Sequence, residues 1–310
     1  MKTLTTERLT EMLTKARGLL AVLVLTVSLP AVAEAGTRVT VYDVVTTPGK
    51  TVTLRAKCER TFGRWIHPDL EGKTVEFKLD GRSLGKAVTD EQGIASVSLT
   101  PSAVGVSVLS ARIVGKRAVG TGQVRVIPPS KPVIVFDIDG TLSSLPDFLV
   151  PFWGARAKAF RGGPELAREL AKTYEIVYLT ARDDSLAFET WAFLARHRFP
   201  PGAVIFDDYG FTDPEQLEQW DPKNHGKFKL AVLKSLQARG ITIAAGIGNA
   251  STDGEAYVGA GVKSYLRTDK SEPGSFTFEE TSELKTKLLA DKVLVQSSGL
   301  SGGVRGTTGP

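Results

Sequence analysis

Residues 133–142, VIVFDIDGTL, constrain the fold more than any other stretch of this chain. The run of β-branched and aromatic residues predicts a buried strand, because continuous apolar runs are typical of parallel sheets covered on both faces. Asp137 and Asp139 stand at its end, and alternate residues of a strand point the same way, so both carboxylates would face one site. A hard cation such as Mg²⁺ would relieve their repulsion. The alternative interpretation is a strand that ends in an ordinary acidic turn.

Three later segments follow this motif, and they are EIVYLTAR (175–182), GKFKLAVL (226–233) and GIGNASTD (246–253). They stand in the order that phosphatases of the haloacid dehalogenase (HAD) superfamily show, and they resemble the later motifs of that family. The resemblance implies that polar side chains of these segments join the two aspartates in one site. The candidates are Thr180, Lys227 or Lys229, Asn249 and Asp253.

The chemistry of these residue types suits phosphoryl transfer. An aspartate can attack phosphorus, a second carboxyl group can move protons, and a lysine and a hydroxyl can hold the phosphate oxygens. The residues that would assist the nucleophile also have a purely structural interpretation. Thr180 and Asp253 would then be helix caps, and one of the two lysines would be a solvent-exposed helix charge.

The motif DIDGTL itself resembles the first motif of the HAD phosphatases. The resemblance covers residues 132 to about 292. It implies that Asp137 is the nucleophile, that Asp139 is the general acid/base, and that Thr180 binds phosphate. It also implies that Mg²⁺ is held by Asp137, Asp139, Asn249 and Asp253.

The segments LTAR, FKLAVLKSL and GIGNASTDGEAYVGAGV are similar to the lipin type within that superfamily. This type contains Mg²⁺-dependent phosphatidate phosphatases, and also the lipid-sensing domains of some phosphatidylinositol transfer proteins, which have lost catalysis. The lipin pattern selects Lys229 over Lys227 as the catalytic lysine, and it shows the same asparagine at the position of Asn249.

Inactive relatives usually lack one of the two aspartates, and both are present here, so the resemblance favours a phosphoric monoester hydrolase. The expected substrate is phosphatidate or another lipid phosphate. One alternative is a phosphatase for small soluble phosphomonoesters. The other is a non-catalytic lipid-binding or adhesion module.

The pattern divides the chain into a signal peptide, an all-β domain, a Pro-rich linker, an α/β phosphatase domain and a Ser/Gly-rich disordered tail. Their predicted bounds are 1–35, 36–128, 129–132, 133–292 and 293–310. Basic residues precede an apolar run over 18–29, and Ala33 or Ala35 would suit cleavage, so we expect a periplasmic or secreted protein. An uncleaved membrane anchor and a start at Met12 are the alternatives.

Both folded domains can be read from periodicity. Residues 36–128 alternate with period two between turn signals, which predicts a small antiparallel sandwich, and the segment is similar to bacterial immunoglobulin-like modules. Residues 133–292 alternate strands and helices, the last helix over 277–290, which predicts a doubly wound parallel sheet without a large cap. We expect the sandwich to be a spacer or a contact module, and a role in positioning the substrate is the alternative, which no residue pattern supports.

The composition of the chain limits which partners we expect it to bind. A net charge of +5 over 310 residues does not indicate nucleic-acid binding, and a single cysteine, Cys58, excludes an internal disulfide. Phe152 and Trp153 follow the first motif with basic residues behind them. They would make peripheral contact with a membrane, or else form the buried face of an ordinary helix.

Overall fold

A computed structural model of the chain describes residues 36–62, 67–145, 156–207 and 224–294. These residues form two domains, an all-β sandwich followed by a doubly wound α/β domain. Both fold classes predicted from the sequence are confirmed. The predicted signal peptide and the segment with Phe152 and Trp153 lie outside the described residues.

The sandwich consists of a three-stranded sheet, in the order β1-β3-β6, and a five-stranded sheet, in the order β2-β8-β7-β4-β5. Its strands are β1 Gly36–Val41, β2 Val44–Thr46, β3 Val52–Thr61, β4 Thr74–Leu79, β5 Arg82–Val88, β6 Ile94–Leu99, β7 Gly105–Ile113 and β8 Val119–Val126. Alternate residues such as Leu54, Phe77 and Leu109 point inward and are fully buried between the sheets. The period-two pattern therefore builds one apolar core.

The α/β domain contains a six-stranded, fully parallel sheet in the order β11-β10-β9-β12-β13-β14. Its strands are β9 Val133–Phe136, β10 Glu175–Asp183, β11 Ala203–Asp207, β12 Ile243–Gly248, β13 Lys263–Arg267 and β14 Ser275–Phe278. The strand order reverses between β9 and β12, and the carboxyl ends of strands at such a switch point are where open α/β sheets bind their ligands.

Helices cover both faces of this sheet. They are α1 Gly163–Leu170, α2 Ala187–Arg196, α3 Asn224–Ala238, α4 Ser251–Gly259 and α5 Thr281–Ala290. Helices α1, α2 and α5 pack on the face that carries Ile134 and Phe136. Helices α3 and α4 pack on the face that carries Val133 and Val135. Strand β9 is thus buried on both sides, as its uninterrupted apolar sequence predicts.

The linker at 129–132 does not hold the two domains apart, since the sandwich contacts the α/β domain directly. Arg125 and Lys131 both pair with Glu175 at the beginning of β10, at 2.5 Å and 3.0 Å. Beyond the other end of β10, the hydroxyl of Tyr42 donates to Asp184 at 2.5 Å. The sandwich and the α/β domain thus contact each other at both ends of β10, and the role of the sandwich as a spacer or a contact module stays a prediction.

One predicted boundary is wrong. The helix predicted over 277–290 begins only at Thr281, because the preceding segment pairs with β13 as the short strand β14. Val293 and Leu294, the first two residues of the predicted tail, are buried in the core beside α5, and the rest of that segment lies outside the described residues. Local pattern could not find either feature, because both depend on contacts with residues distant in sequence.

Candidate active site

The polar strand ends of the α/β domain meet at the switch point between β9 and β12. Asp137 directly follows β9, and its backbone N–H donates to the carbonyl of Ile247 in β12 at 2.8 Å. This bond continues the pairing of the two strands to the point where their polar residues begin. Asp137, Lys229 and Asp253 are buried there and contact one another through Lys229, and Thr180 is buried in the neighbouring strand β10.

Lys229 links two buried carboxylates. Its Nζ lies 2.6 Å from Asp137 Oδ1 and 2.5 Å from Asp253 Oδ1, and all three side chains are at most 5% exposed. Lys227 instead donates to Asn224 at 3.4 Å, on the exposed side of α3. The structure therefore brings Lys229, the preferred lysine of the sequence prediction, to Asp137.

Burial and charge act in opposite directions on this cluster. Desolvation raises the pKa of Asp137, and the charges of Asp253 and Asp139 add to the rise, while Lys229 opposes it. Desolvation alone would lower the pKa of Lys229, but the charges of Asp137 and Asp253 outweigh it, so its pKa is raised. The lysine therefore stays protonated, and it is the cation that makes burial of two neighbouring carboxylates tolerable.

Asp253 is also the anchor of helix α4. Its Oδ2 accepts the backbone N–H groups of Asn249 and Ala250, at 3.0 Å and 3.1 Å. With Oδ1 on Lys229, both of its oxygens are occupied by protein donors. Asp253 is therefore a cap of helix α4 and a member of the site at the same time, because one oxygen accepts the backbone amides and the other contacts Lys229.

Thr141 and Asn249 complete the surroundings of Asp137. The Thr141 hydroxyl lies 2.9 Å from Asp137 Oδ2 and 3.3 Å from Asn249 Oδ1. Gly140 makes this turn possible because its φ is +70°, and a Cβ there would lie only 2.0 Å from the Asn249 side chain. Asn249 thus packs directly against the turn that follows the two aspartates.

Asp139 is held by a residue to which the sequence assigned no role. The Arg182 guanidinium donates from Nε to Oδ2 and from Nη2 to Oδ1 of Asp139, each at 2.7 Å. Its third nitrogen, Nη1, donates to the hydroxyl of Thr190 at 2.8 Å. The LTAR segment contained the signal, since Arg182 lies two positions after Thr180, on the same side of an extended chain.

Thr180 is 1% exposed, and its hydroxyl accepts the backbone N–H of Arg182 at 3.1 Å. It is not a helix cap, because Asp183 caps the following 3-10 turn through the N–H of Ser185. Thr180 thus lies beside the site, and its predicted contact with phosphate stays a prediction.

The oxygen atoms around Asp137 suit Mg²⁺ better than a softer metal. Within the described residues, no three His, Cys, Asp or Glu side chains form a group that would hold a metal ion. Both oxygens of Asp139 contact Arg182, and those of Asp253 contact Lys229 and two amides. Asp137 Oδ2 and Asn249 Oδ1 share one hydroxyl neighbour, and such a pair of hard oxygens fits Mg²⁺, which keeps several waters.

The fold and this site define the chain as a sandwich joined to an α/β domain with a buried aspartate–lysine–aspartate centre. A family model, described as the LNS2 domain of PITM 1-3, matches residues 134–266. That family has a lipin-like, HAD-related fold, so the predicted resemblance is confirmed at this level.

Two curated relatives and one solved structure show how far the likeness extends. Membrane-associated phosphatidylinositol transfer protein 3 of Homo sapiens is 26% identical over 176 residues, which is 56% of this chain and 16% of the relative. Protein retinal degeneration B of Drosophila melanogaster is 26% identical over 233 residues, 74% of this chain and 16% of the relative. A HAD-like phosphatase from Mesorhizobium loti superposes with a TM-score of 0.44 and 18% identity, over 63% of this chain and 97% of the other.

This chain therefore spans a small part of the length of those curated relatives. No helix in the described ranges is long and apolar enough to cross a membrane.

Proposed function

We propose that this protein is a Mg²⁺-dependent phosphatase that hydrolyses a phosphomonoester through an aspartyl-phosphate at Asp137. The observation that carries the proposal is the environment of Asp137. A buried carboxylate at the carboxyl end of a central strand contacts a buried lysine, with a second carboxylate two residues away. Stability alone does not require this arrangement, because it is costly to bury the carboxylates of Asp137 and Asp253 with Lys229 as their shared cation.

In the first step, Asp137 attacks phosphorus, an O–P bond forms, and the bond from phosphorus to the ester oxygen breaks. Asp139, in its protonated form, gives its proton to the departing alkoxide, which leaves as an alcohol. Lys229 places positive charge beside Asp137, where the negative phosphate oxygens would arrive. Arg182 holds Asp139 by both oxygens, so the protonated form requires one of these contacts to loosen as substrate binds.

In the second step, a water molecule attacks the phosphorus of the aspartyl-phosphate and loses a proton to the Asp139 carboxylate. Inorganic phosphate leaves, and the Asp137 carboxylate is regenerated. Bound Mg²⁺ would supply positive charge against the oxygens of the transferring phosphoryl group. Asp137 and Asn249 are the residues that would hold it.

A lipid phosphate such as phosphatidate is the substrate class we favour. The relatives that match the α/β domain are named as membrane-associated phosphatidylinositol transfer proteins, which supports a lipid ligand. A soluble phosphomonoester is the competing substrate. Export to the periplasm or the exterior, and peripheral contact with a membrane, remain part of this proposal and rest on the sequence alone.

A second candidate is a lipid-binding domain without turnover. The match to the LNS2 domain favours it, because the matched relatives are named for lipid transfer and not for catalysis. The presence of both Asp137 and Asp139 favours the enzyme, because a binding site has no need of a nucleophile.

Two assays decide between these functions. Purified protein is given a generic phosphomonoester with Mg²⁺, and Asp137→Asn serves as the inactive control. Turnover lost in Asp137→Asn supports the enzyme, whereas no turnover of any phosphate ester with Mg²⁺ present contradicts it. Phosphatidate in vesicles is then compared with a soluble sugar phosphate, and a clear preference for the sugar phosphate would remove the lipid substrate.

A further inference from the structure

We propose that the sandwich domain is part of the catalytic apparatus, because Arg38 and Tyr42 position the turn that holds Arg182 against Asp139. The inference rests on the proposed phosphatase function. Arg38 and Tyr42 act on this turn, through Ser185 and Asp184, and so they are positioning residues.

Arg38 fixes the backbone of the 3-10 turn at 184–186, which follows β10. Its Nη1 donates to the carbonyl of Ser185 and its Nη2 to the carbonyl of Asp184, both at 3.0 Å. Its Nε donates to the Thr40 hydroxyl at 3.2 Å and lies 3.1 Å from the buried carboxylate of Glu59 in β3, so a hydrogen bond and an ion pair together hold the guanidinium in place. A planar guanidinium can hold two successive carbonyls and a carboxylate at once, whereas a lysine ammonium cannot reproduce this fork.

Tyr42 holds the same turn through the side chain of Asp184. Its hydroxyl donates to Asp184 Oδ2 at 2.5 Å, and Asp184 is 1% exposed. A charge-assisted bond this short is stronger than a neutral one. Two residues of the sandwich therefore fix one turn of the α/β domain by backbone and by side chain.

The turn is joined to the active site by hydrogen bonds. The carbonyl of Leu186, the last residue of the turn, accepts the hydroxyl of Thr190 at 2.9 Å. The same hydroxyl accepts Arg182 Nη1 at 2.8 Å, and the other two nitrogens of Arg182 hold Asp139. Thr190 and Arg182 are buried, so water cannot easily replace these bonds. A shift of the turn would therefore shift Arg182 and the carboxylate that moves protons.

The opposite end of the domain interface supplies a matched control. There the Thr47 hydroxyl donates to the carbonyl of Arg239 at 2.6 Å. Arg239 precedes strand β12 at its amino end, away from the catalytic edge of the sheet. Tyr42→Phe removes the interdomain hydrogen bond to Asp184, which lies in the turn, and Thr47→Val removes the interdomain hydrogen bond to the carbonyl of Arg239, which lies outside it.

The experiment compares full-length wild type, Tyr42→Phe, Arg38→Lys and Thr47→Val. Hydrogen exchange reports the order of the backbone amides over 182–190, steady-state kinetics with a soluble phosphomonoester report kcat and KM, and urea unfolding reports stability. We expect Tyr42→Phe and Arg38→Lys to speed exchange in 182–190 and to lower kcat about tenfold, with KM unchanged, because proton transfer and not binding is disturbed. Thr47→Val should lose similar stability while keeping the exchange rates and kcat of the wild type.

Equal losses of kcat in Tyr42→Phe and Thr47→Val would overturn the proposal, since the sandwich would then act only through stability. Unchanged exchange and kcat in both Tyr42→Phe and Arg38→Lys would also overturn it. If the wild type hydrolyses no phosphate ester, the proposed function fails, but the exchange data still decide whether the sandwich orders the turn.

Discussion

Arg182 holds both carboxylate oxygens of Asp139 in a bidentate pair, with the two nitrogen–oxygen distances at 2.7 Å. The residues are separated by 43 positions and come from the ends of neighbouring strands, β10 and β9. Such a pair fixes the orientation of the carboxylate as well as its position. In the mechanism we propose, the orientation of Asp139 for proton transfer would therefore depend on a residue that need not touch the substrate.

Replacing Arg182 by lysine tests this dependence. Lysine keeps the charge but cannot form the fork, so we expect Arg182→Lys to lower kcat by about 10²-fold, within the range that a positioned acid/base group contributes. Steady-state kinetics with a soluble phosphomonoester measure it. Arg168→Lys is the control, since Arg168 pairs with Glu165 on an exposed face of α1. Full activity in Arg182→Lys would show that the bidentate contact is not needed.

Lys229 should be needed for stability as well as for turnover. Lys229→Met leaves the carboxylates of Asp137 and Asp253 buried without their shared cation. We expect it to lower the free energy of unfolding by about 3–5 kcal/mol, as removal of one partner from a buried ion pair does. Urea unfolding measures the loss, and Lys227→Met is the matched control on the same helix. Equal stability of the two variants would contradict the role of Lys229 as the central cation.

Gly140 should tolerate no side chain, for two separable reasons. Its φ of +70° disfavours other residues, and a Cβ would meet the side chain of Asn249. Gly261→Ala provides the control, since Gly261 has a φ of +69° with nothing within 4 Å of the added Cβ. We expect about 1–2 kcal/mol of lost stability in Gly261→Ala from the left-handed backbone alone, and a clearly larger loss in Gly140→Ala. Similar losses would mean that Asn249 moves aside freely.

Asp43 should make stability depend on pH. Burial raises the pKa of Asp43 from 3.8 to about 6, and hydrogen bonds from the backbone of Val204 and Gln123 only partly oppose the rise. The folded protein therefore binds this proton more tightly than the unfolded chain does. The resulting stabilisation is fully present below pH 3.8 and is lost as the pH rises through about 6.

Comparison with Asp43→Asn isolates this effect from the other titrating groups. The free energy of unfolding of the wild type, relative to Asp43→Asn, should increase as the pH falls from neutral to about 4. Urea unfolding at a series of pH values measures the difference. A difference that stays constant or decreases over this range would contradict a raised pKa at Asp43.

Much of the fold and the centre of the site could be predicted from local sequence. The strand before Asp137 is uniformly apolar because it is buried on both faces, and this leaves a clear signal. Lys229 could also be distinguished from Lys227 by its place in the helical repeat. The buried positions of α3 recur every three or four residues, at Gly226, Lys229, Leu233 and Leu236. The four-residue strand β14 carries no such periodicity, and its place is set only by pairing with β13.

The long-range contacts could not be predicted in this way. Tyr42 and Asp184 are 142 positions apart and lie in different domains, so no local pattern joins them. The contacts of Asp253 with Lys229 and with two backbone amides also join separate segments, and its role as a metal ligand stays a prediction. Spacing indicates which residues reach the sheet edge, but the packing of α3 and α4 decides which of them meet.

The most direct test of the central claim is to trap the covalent intermediate on Asp137. Wild-type protein is mixed with a phosphomonoester and Mg²⁺ and reduced with borohydride, which converts an aspartyl-phosphate to homoserine, and the peptides are then sequenced by mass spectrometry. We predict homoserine at position 137 and at no other aspartate, only when substrate and Mg²⁺ are both present. Steady turnover without any modified residue at position 137 would contradict the account.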